Sequence, residues 1–190
     1  MSWNVIDLNA VVPMPWKNGG GITRELVAWP RASDWIWRMS AAEVTQSGPF
    51  SCYEGVERWF AVLSGAGVTL KVAGQKHTLT PASQPFCFDG ALATDCELVE
   101  GVTQDFNLMT RKDRIEATMT RVESPLSWFF NNSSTVAIFA MDTASSVQFN
   151  STADEIQPGT LIWRSVVKGD HLQLNTQSAL MISMVYKVTA

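Results

Sequence analysis

His77-Thr78-Leu79-Thr80-Pro81-Ala82-Ser83-Gln84-Pro85-Phe86 and, later in the chain, Asp154-Glu155-Ile156-Gln157-Pro158-Gly159-Thr160-Leu161-Ile162 share one reading: polar, aliphatic, polar, proline, small, then a strand. Proline fixes φ and removes a backbone donor, so each copy marks a turn between strands. The first copy follows Val62-Leu63-Ser64-Gly65-Ala66-Gly67, a strand closing on a glycine-containing hairpin. The second follows Val136-Ala137-Ile138-Phe139-Ala140-Met141 and a polar turn over Asp142 to Ser146, in the same order. A strand-turn-strand unit met twice points to two copies of one small β domain, with a single larger sandwich as the other arrangement the pattern admits.

Around these anchors, apolar residues alternate with period two along almost the whole chain, and no window long enough for a helix carries an i, i+3, i+4, i+7 stripe. The clearest strands are Ile22 to Trp29, Trp35 to Val44, Glu57 to Leu63, Gly67 to Val72, Leu98 to Met109, Ile115 to Val122, Thr135 to Met141, Thr160 to Arg164, His171 to Leu174 and Ala179 to Val188. Gly48-Pro49, Ser64-Gly65, Ala73-Gly74, Asp89-Gly90, Asn131 to Ser134, Pro158-Gly159 and Lys168-Gly169-Asp170 punctuate them. The chain therefore reads as all-β: two fused cupin-like jelly-roll barrels, a bicupin, over residues 1–110 and 111–190. The boundary falls in the charged Met109-Thr110-Arg111-Lys112-Asp113-Arg114.

Of 190 residues, 46% are hydrophobic and only 17% charged, against about 25% charged in an average globular chain, so disorder is excluded by composition. With 14 Lys+Arg against 18 Asp+Glu the net charge is −4, and no basic stripe is present to meet phosphates, which argues against a nucleic-acid partner. Cys52, Cys87 and Cys96 are odd in number and lack metal-ligand spacing, which fits reduced thiols and a cytoplasmic protein. No signal peptide or membrane-spanning run is expected.

Metal-binding cupins carry His-x-His and a Glu before the hairpin and a further His after the proline turn. Counted back from Gly65, Arg58 takes the acidic ligand's place, Ser51 and Tyr53 stand where the His pair would be, and no His follows Pro81. With His77 and His171 as the only histidines, no metal and no cofactor are expected. Alternation places Arg58, Phe60 and Val62 on one face and Glu57, Trp59, Ala61 and Leu63 on the other. An arginine on an otherwise apolar strand wants an anion, either a ligand carboxylate matched to its planar fork or an internal partner, Glu57, Glu54 or Asp105. Arg38, in Trp35-Ile36-Trp37-Arg38-Met39-Ser40, is a second anion contact or a rim salt bridge. Trp16-Lys17-Asn18-Gly19-Gly20-Gly21-Ile22-Thr23-Arg24-Glu25 joins three glycines to a polar run: a close approach to a ligand, or a loop entering a strand. It matches neither phosphate-binding fingerprint. Asp105, Asn107 and Met109 share one strand face.

At these residues the chain resembles the HutD/Ves family. The matching pieces are Trp16 to Gly21 with Thr23-Arg24-Glu25, Trp37-Arg38, Gly48-Pro49-Phe50-Ser51, Glu57-Arg58 with Leu63-Ser64-Gly65, Pro85-Phe86 and Asp105 to Arg111. The resemblance implies a cytoplasmic bicupin without metal-binding histidines that restrains histidine utilisation by sensing a small carboxylate such as urocanate or N-formylglutamate. On that reading Arg58 pairs the anion, Phe50, Phe60 and Trp16 supply walls, and Asn18, Thr23 and Asn107 supply hydrogen bonds. A metal-free isomerase or hydrolase using Glu57, Tyr53 or His77 as acid or base is the rival, less supported because no nucleophile and base can be assembled. A scaffold docking through exposed tryptophans is a third, and a homodimer is left open.

Overall fold

The computed structural model describes residues 2–187, so Val188, the predicted end of the last strand, lies outside the described residues. The strands are β1 (Asn4–Asp7), β2 (Met14–Pro15), β3 (Gly21–Trp29), β4 (Trp37–Val44), β5 (Gly48–Phe50), β6 (Val56–Ser64), β7 (Val68–Val72), β8 (Gln75–Leu79), β9 (Phe86–Asp89) and β10 (Thr94–Leu98). They continue with β11 (Thr103–Arg111), β12 (Ile115–Val122), β13 (Leu126–Phe129), β14 (Ser134–Ala140), β15 (Ser145–Phe149), β16 (Thr152–Ile156), β17 (Thr160–Val166), β18 (His171–Asn175) and β19 (Ala179–Tyr186). One 3-10 turn, Leu8–Ala10, follows β1.

The strands form two cupin-like jelly-roll units with matching strand order. In the first, the sheet β5-β10-β7-β8 packs with β2-β3-β4-β11-β6-β9; in the second, β13-β18-β15-β16 repeats the former and β12-β19-β14-β17 repeats β4-β11-β6-β9. The proline turns occupy equivalent places: Pro81 follows the β7–β8 hairpin and Pro158 the β15–β16 hairpin. Gly67 sits at φ +109°, and a Cβ there would collide with the Leu79 carbonyl, so the hairpin closing β6 requires glycine.

Val11–Ile115 form one unit, while the segment through Ala10 joins the chain from Glu116 onward in the other. That differs from a first barrel starting at residue 1. β1 pairs antiparallel with β17, Asn4 opposite Trp163 and Asp7 opposite Thr160, and Leu8 N–H donates to the Gly159 carbonyl at 2.9 Å. The predicted strand from Leu98 to Met109 is also divided, because an exposed turn around Glu100 and Gly101 separates β10 from β11.

In the second unit Arg121 is buried with a contact to Met141 Sδ and Ser145 is paired with Thr176, while Val136, Ile138, Val147, Phe149, Ile156, Ile162, Leu172 and Met181 form the apolar core. Each fully buried side chain of this size contributes roughly 1.5–3 kcal/mol. The first unit buries Val44, Phe60, Val62, Leu70, Leu79 and Phe88 between its sheets, and its interior holds Arg58, Asp105 and Asn107. Polar groups inside a small barrel call for partners, and they direct attention to its cavity.

Candidate functional site

A cavity of about 500 Å³ opens in the first unit. Its back wall comes from three neighbouring strands whose register arranges the side chains in rows: Arg38 on β4, Met109 on β11 and Arg58 on β6 lie directly across from one another, and Ser40, Asn107 and Phe60 form the next row. Opposed residues share a sheet face, so both rows look into the barrel. Pro49, Phe50, Ser51 and Tyr53, on and just after β5, supply another wall, and Trp16, Lys17, Asn18 and Thr23 the rim.

Arg58 is the centre of the site. It is 5% exposed; Nη2 donates to Asn107 Oδ1 at 3.0 Å and Nη1 makes a long 3.5 Å contact to the Ser51 carbonyl, while Nε has no partner. Its guanidinium carbon lies 5.0 Å from the ring centroid of Phe50, 5.1 Å from Phe88 and 5.9 Å from Tyr53. Aromatic rings offset part of the desolvation of a cation but leave its charge uncompensated. Burial, the dominant cause, lowers its pKa from 12.5 to about 10, with Tyr53 opposing and Arg38 adding to the shift. At neutral pH the group is a buried cation.

The internal partners that the sequence admits are engaged elsewhere. Glu57 Oε1 accepts from Trp59 Nε1 at 3.2 Å, on the other face of β6, and Glu54 is exposed. Asp105, fully buried on β11, accepts from Thr103 Oγ1 at 2.9 Å through Oδ2 and leaves Oδ1 without a partner. Burial pushes the Asp105 carboxyl up to about 7, against the Thr103 hydrogen bond. Among the described residues no Asp or Glu forms an ion pair with Arg58. Arg38 does have one: its Nη2 lies 3.2 Å from Glu25 Oε2.

The structure brings Arg58, Trp16, Asn18, Thr23, Phe50, Phe60 and Asn107 together around the one cavity. Their parts differ in detail. Thr23 Oγ1 accepts from Trp16 Nε1 at 2.7 Å and so orients the indole, which meets Phe50 edge to face at 6.4 Å. Asn18 Oδ1 caps the Gly20 N–H at 3.1 Å, and Asn107 turns its Oδ1 to Arg58, which leaves its amide N–H groups as donors on a cavity-lining side chain. Pro49 also lines the cavity, with Ser40, two residues from Arg38 on the same strand face, and Met109, which shares its face with Asn107. Of the acid–base trio weighed for an enzyme, only Tyr53 lines the cavity. His77 stacks on Phe86 at 4.2 Å, and Glu57 stays with Trp59.

A metal does not fit the residues present. Ser51, Tyr53 and Arg58 occupy the ligand positions of metal-binding cupins, a guanidinium has no lone pair to donate, and no cluster of three His, Cys, Asp or Glu exists among the described residues. Among them, too, no helix is long and apolar enough to cross a membrane.

Two jelly-roll units, the first with a cavity of about 500 Å³ around the buried Arg58, define a bicupin with a cationic pocket. The chain belongs to the HutD family, whose sequence model matches residues 8–182. It is 34% identical over 146 residues to an uncharacterized 21.2 kDa protein in the hutC 3' region of Pseudomonas putida, covering 76% of this chain and 75% of that one. Protein Ves of Cronobacter sakazakii is 42% identical over 104 residues, 54% of this chain and 57% of its own. The structure of HutD from Pseudomonas fluorescens, in a formate condition, superposes with a TM-score of 0.87 at 28% identity, covering 98% of this chain and all of that one. Escherichia coli YlbA, at 11% identity and a TM-score of 0.75 over the whole of this chain and 93% of its own, shares the fold.

Proposed function

We propose that the first barrel holds a small carboxylate on Arg58, and that through this binding a cytoplasmic protein senses and restrains flux through histidine utilisation. Urocanate and N-formylglutamate are the candidate ligands. The observation that carries the reading is a buried guanidinium with no acidic partner. Leaving a charge uncompensated in an apolar interior costs several kcal/mol, roughly, and an incoming carboxylate would recover part of that by a bidentate, charge-assisted pair. Asn107 would add a donor, and Phe50, Phe60 and Trp16 would flank a planar, unsaturated skeleton.

Family membership and the hutC-region relative support the link to histidine utilisation. A cavity of about 500 Å³ leaves room for an acid much larger than formate. Isothermal titration of urocanate and N-formylglutamate against wild type and Arg58→Ala tests the reading. Losing one charge-assisted pair should weaken binding by about 1.5–3 kcal/mol, or roughly ten- to a hundredfold. Equal affinity for both proteins would remove Arg58 from the site.

A further inference from the structure

Beside the proposed carboxylate position stands an ion pair with no part in it so far. Arg38 and Glu25 are joined at 3.2 Å with side chains only 18% and 25% exposed. Arg38 lines the cavity and lies across Met109 from Arg58, two strand spacings away, or about 10 Å between backbones. Glu25 sits at a β-bulge. The β3–β4 register slips between Glu25 and Val27, so Glu25 opposes Ser40 while Val27 opposes Met39, and the extra residue, Leu26, bends the strand locally. The pocket thereby owns two buried or half-buried guanidiniums but one uncompensated charge. Lys17, the other cation of the lining, is exposed at the rim, where water and salt screen it.

We infer that Glu25 sets the charge of the ligand: by neutralising Arg38 it restricts the cavity to acids with a single carboxylate. This rests on the reading of Arg58 as the carboxylate's partner. A diacid with one carboxylate on Arg58 meets, along the same wall, an arginine already paired. Its second carboxylate must either break the Arg38–Glu25 pair, leaving Glu25 without its partner, or stand against Glu25 as a like charge; both disfavour binding. Of the two acids named above, the singly charged urocanate suits this arrangement better.

Two acids of matched shape test it, 4-methylbenzoate and terephthalate, which differ by a methyl group against a second carboxylate. Titrated into wild type, 4-methylbenzoate should bind more tightly. In Glu25→Gln, close to isosteric, the preference should shift toward terephthalate by about tenfold or more, chiefly through a gain for the diacid. The double variant Glu25→Gln/Arg38→Gln removes both charges and should return the preference toward the monoacid, separating charge from packing. An unchanged ratio in Glu25→Gln, with 4-methylbenzoate still dependent on Arg58, overturns this inference and leaves the carboxylate site standing. Equal binding by wild type and Arg58→Ala, or no binding of either acid to wild type, overturns both.

Discussion

Arg58 and Asn107 are linked by a 3.0 Å hydrogen bond between β6 and β11, and the two residues are not directly opposite: Asn107 faces Phe60, while Arg58 faces Met109. The diagonal contact holds the guanidinium without neutralising it. An amide is a neutral acceptor, so the site is oriented yet still cationic.

Exchanging that amide for a carboxylate should therefore close the site from within. Asn107→Asp keeps the shape and places an anion at hydrogen-bond distance from Arg58. The unliganded protein is expected to melt at a higher temperature than wild type, and carboxylate affinity is expected to fall about tenfold or more, as the ligand must now compete with a resident counterion. Thermal melts paired with titration of urocanate check both; a variant that binds as wild type does would place the ligand away from Arg58.

Asp105 should leave a signature in the pH dependence of stability. Its carboxyl titrates near 7 in the folded protein, above the ordinary carboxylate value that the unfolded chain has. Between those values the folded state binds more protons, so its contribution is fully present below about pH 4 and is lost as pH rises through 7. Asp105→Asn keeps an acceptor for Thr103 and removes the titration. In chemical denaturation the variant is expected to exceed wild type at pH 8, the difference shrinking steadily toward pH 4. Parallel curves across that range would mean that Asp105 ionises as an ordinary carboxylate.

The rim depends on the third glycine of its run. A Cβ at Gly21 would meet the Glu43 carbonyl and stand 3.2 Å from the Trp16 ring. Backbone cannot swing aside as a side chain can, so Gly21→Ala should cost about 1–3 kcal/mol of stability and displace Trp16. Gly19→Ala meets no neighbouring atom but must hold φ at +73°, so it should lose stability through backbone strain while leaving Trp16 in place. Denaturation and urocanate titration of the two variants separate these effects: affinity should fall in Gly21→Ala beyond what it does in Gly19→Ala.

Much of this arrangement is legible in the chain because period-two alternation is a local rule. Arg58, Phe60, Asn107 and Met109 occupy the same barrel face that counting along their strands assigns to them, and the two proline turns mark equivalent places in both units. What escapes counting is non-local. The Arg38–Glu25 pair depends on a bulge whose extra residue, Leu26, looks like any other apolar strand position. Short strands such as Gln75–Leu79 and Phe86–Asp89 carry too few alternating residues to stand out from flanking Gly and Pro. The exposed Val99 and Val102 made a turn resemble a strand interior.

The partnership of β1 with β17 bears on how the chain can be cut. Severed between residues 110 and 111, the C-terminal piece would lack the segment that covers one side of β17, and Thr160 to Trp163 would present bare backbone donors and acceptors along an open seam. Such a fragment should self-associate through that seam. A permuted chain, with residues 2–10 grafted after β19, would carry its own zip, whereas residues 11–114 can be excised without taking a strand from the other unit's sheet.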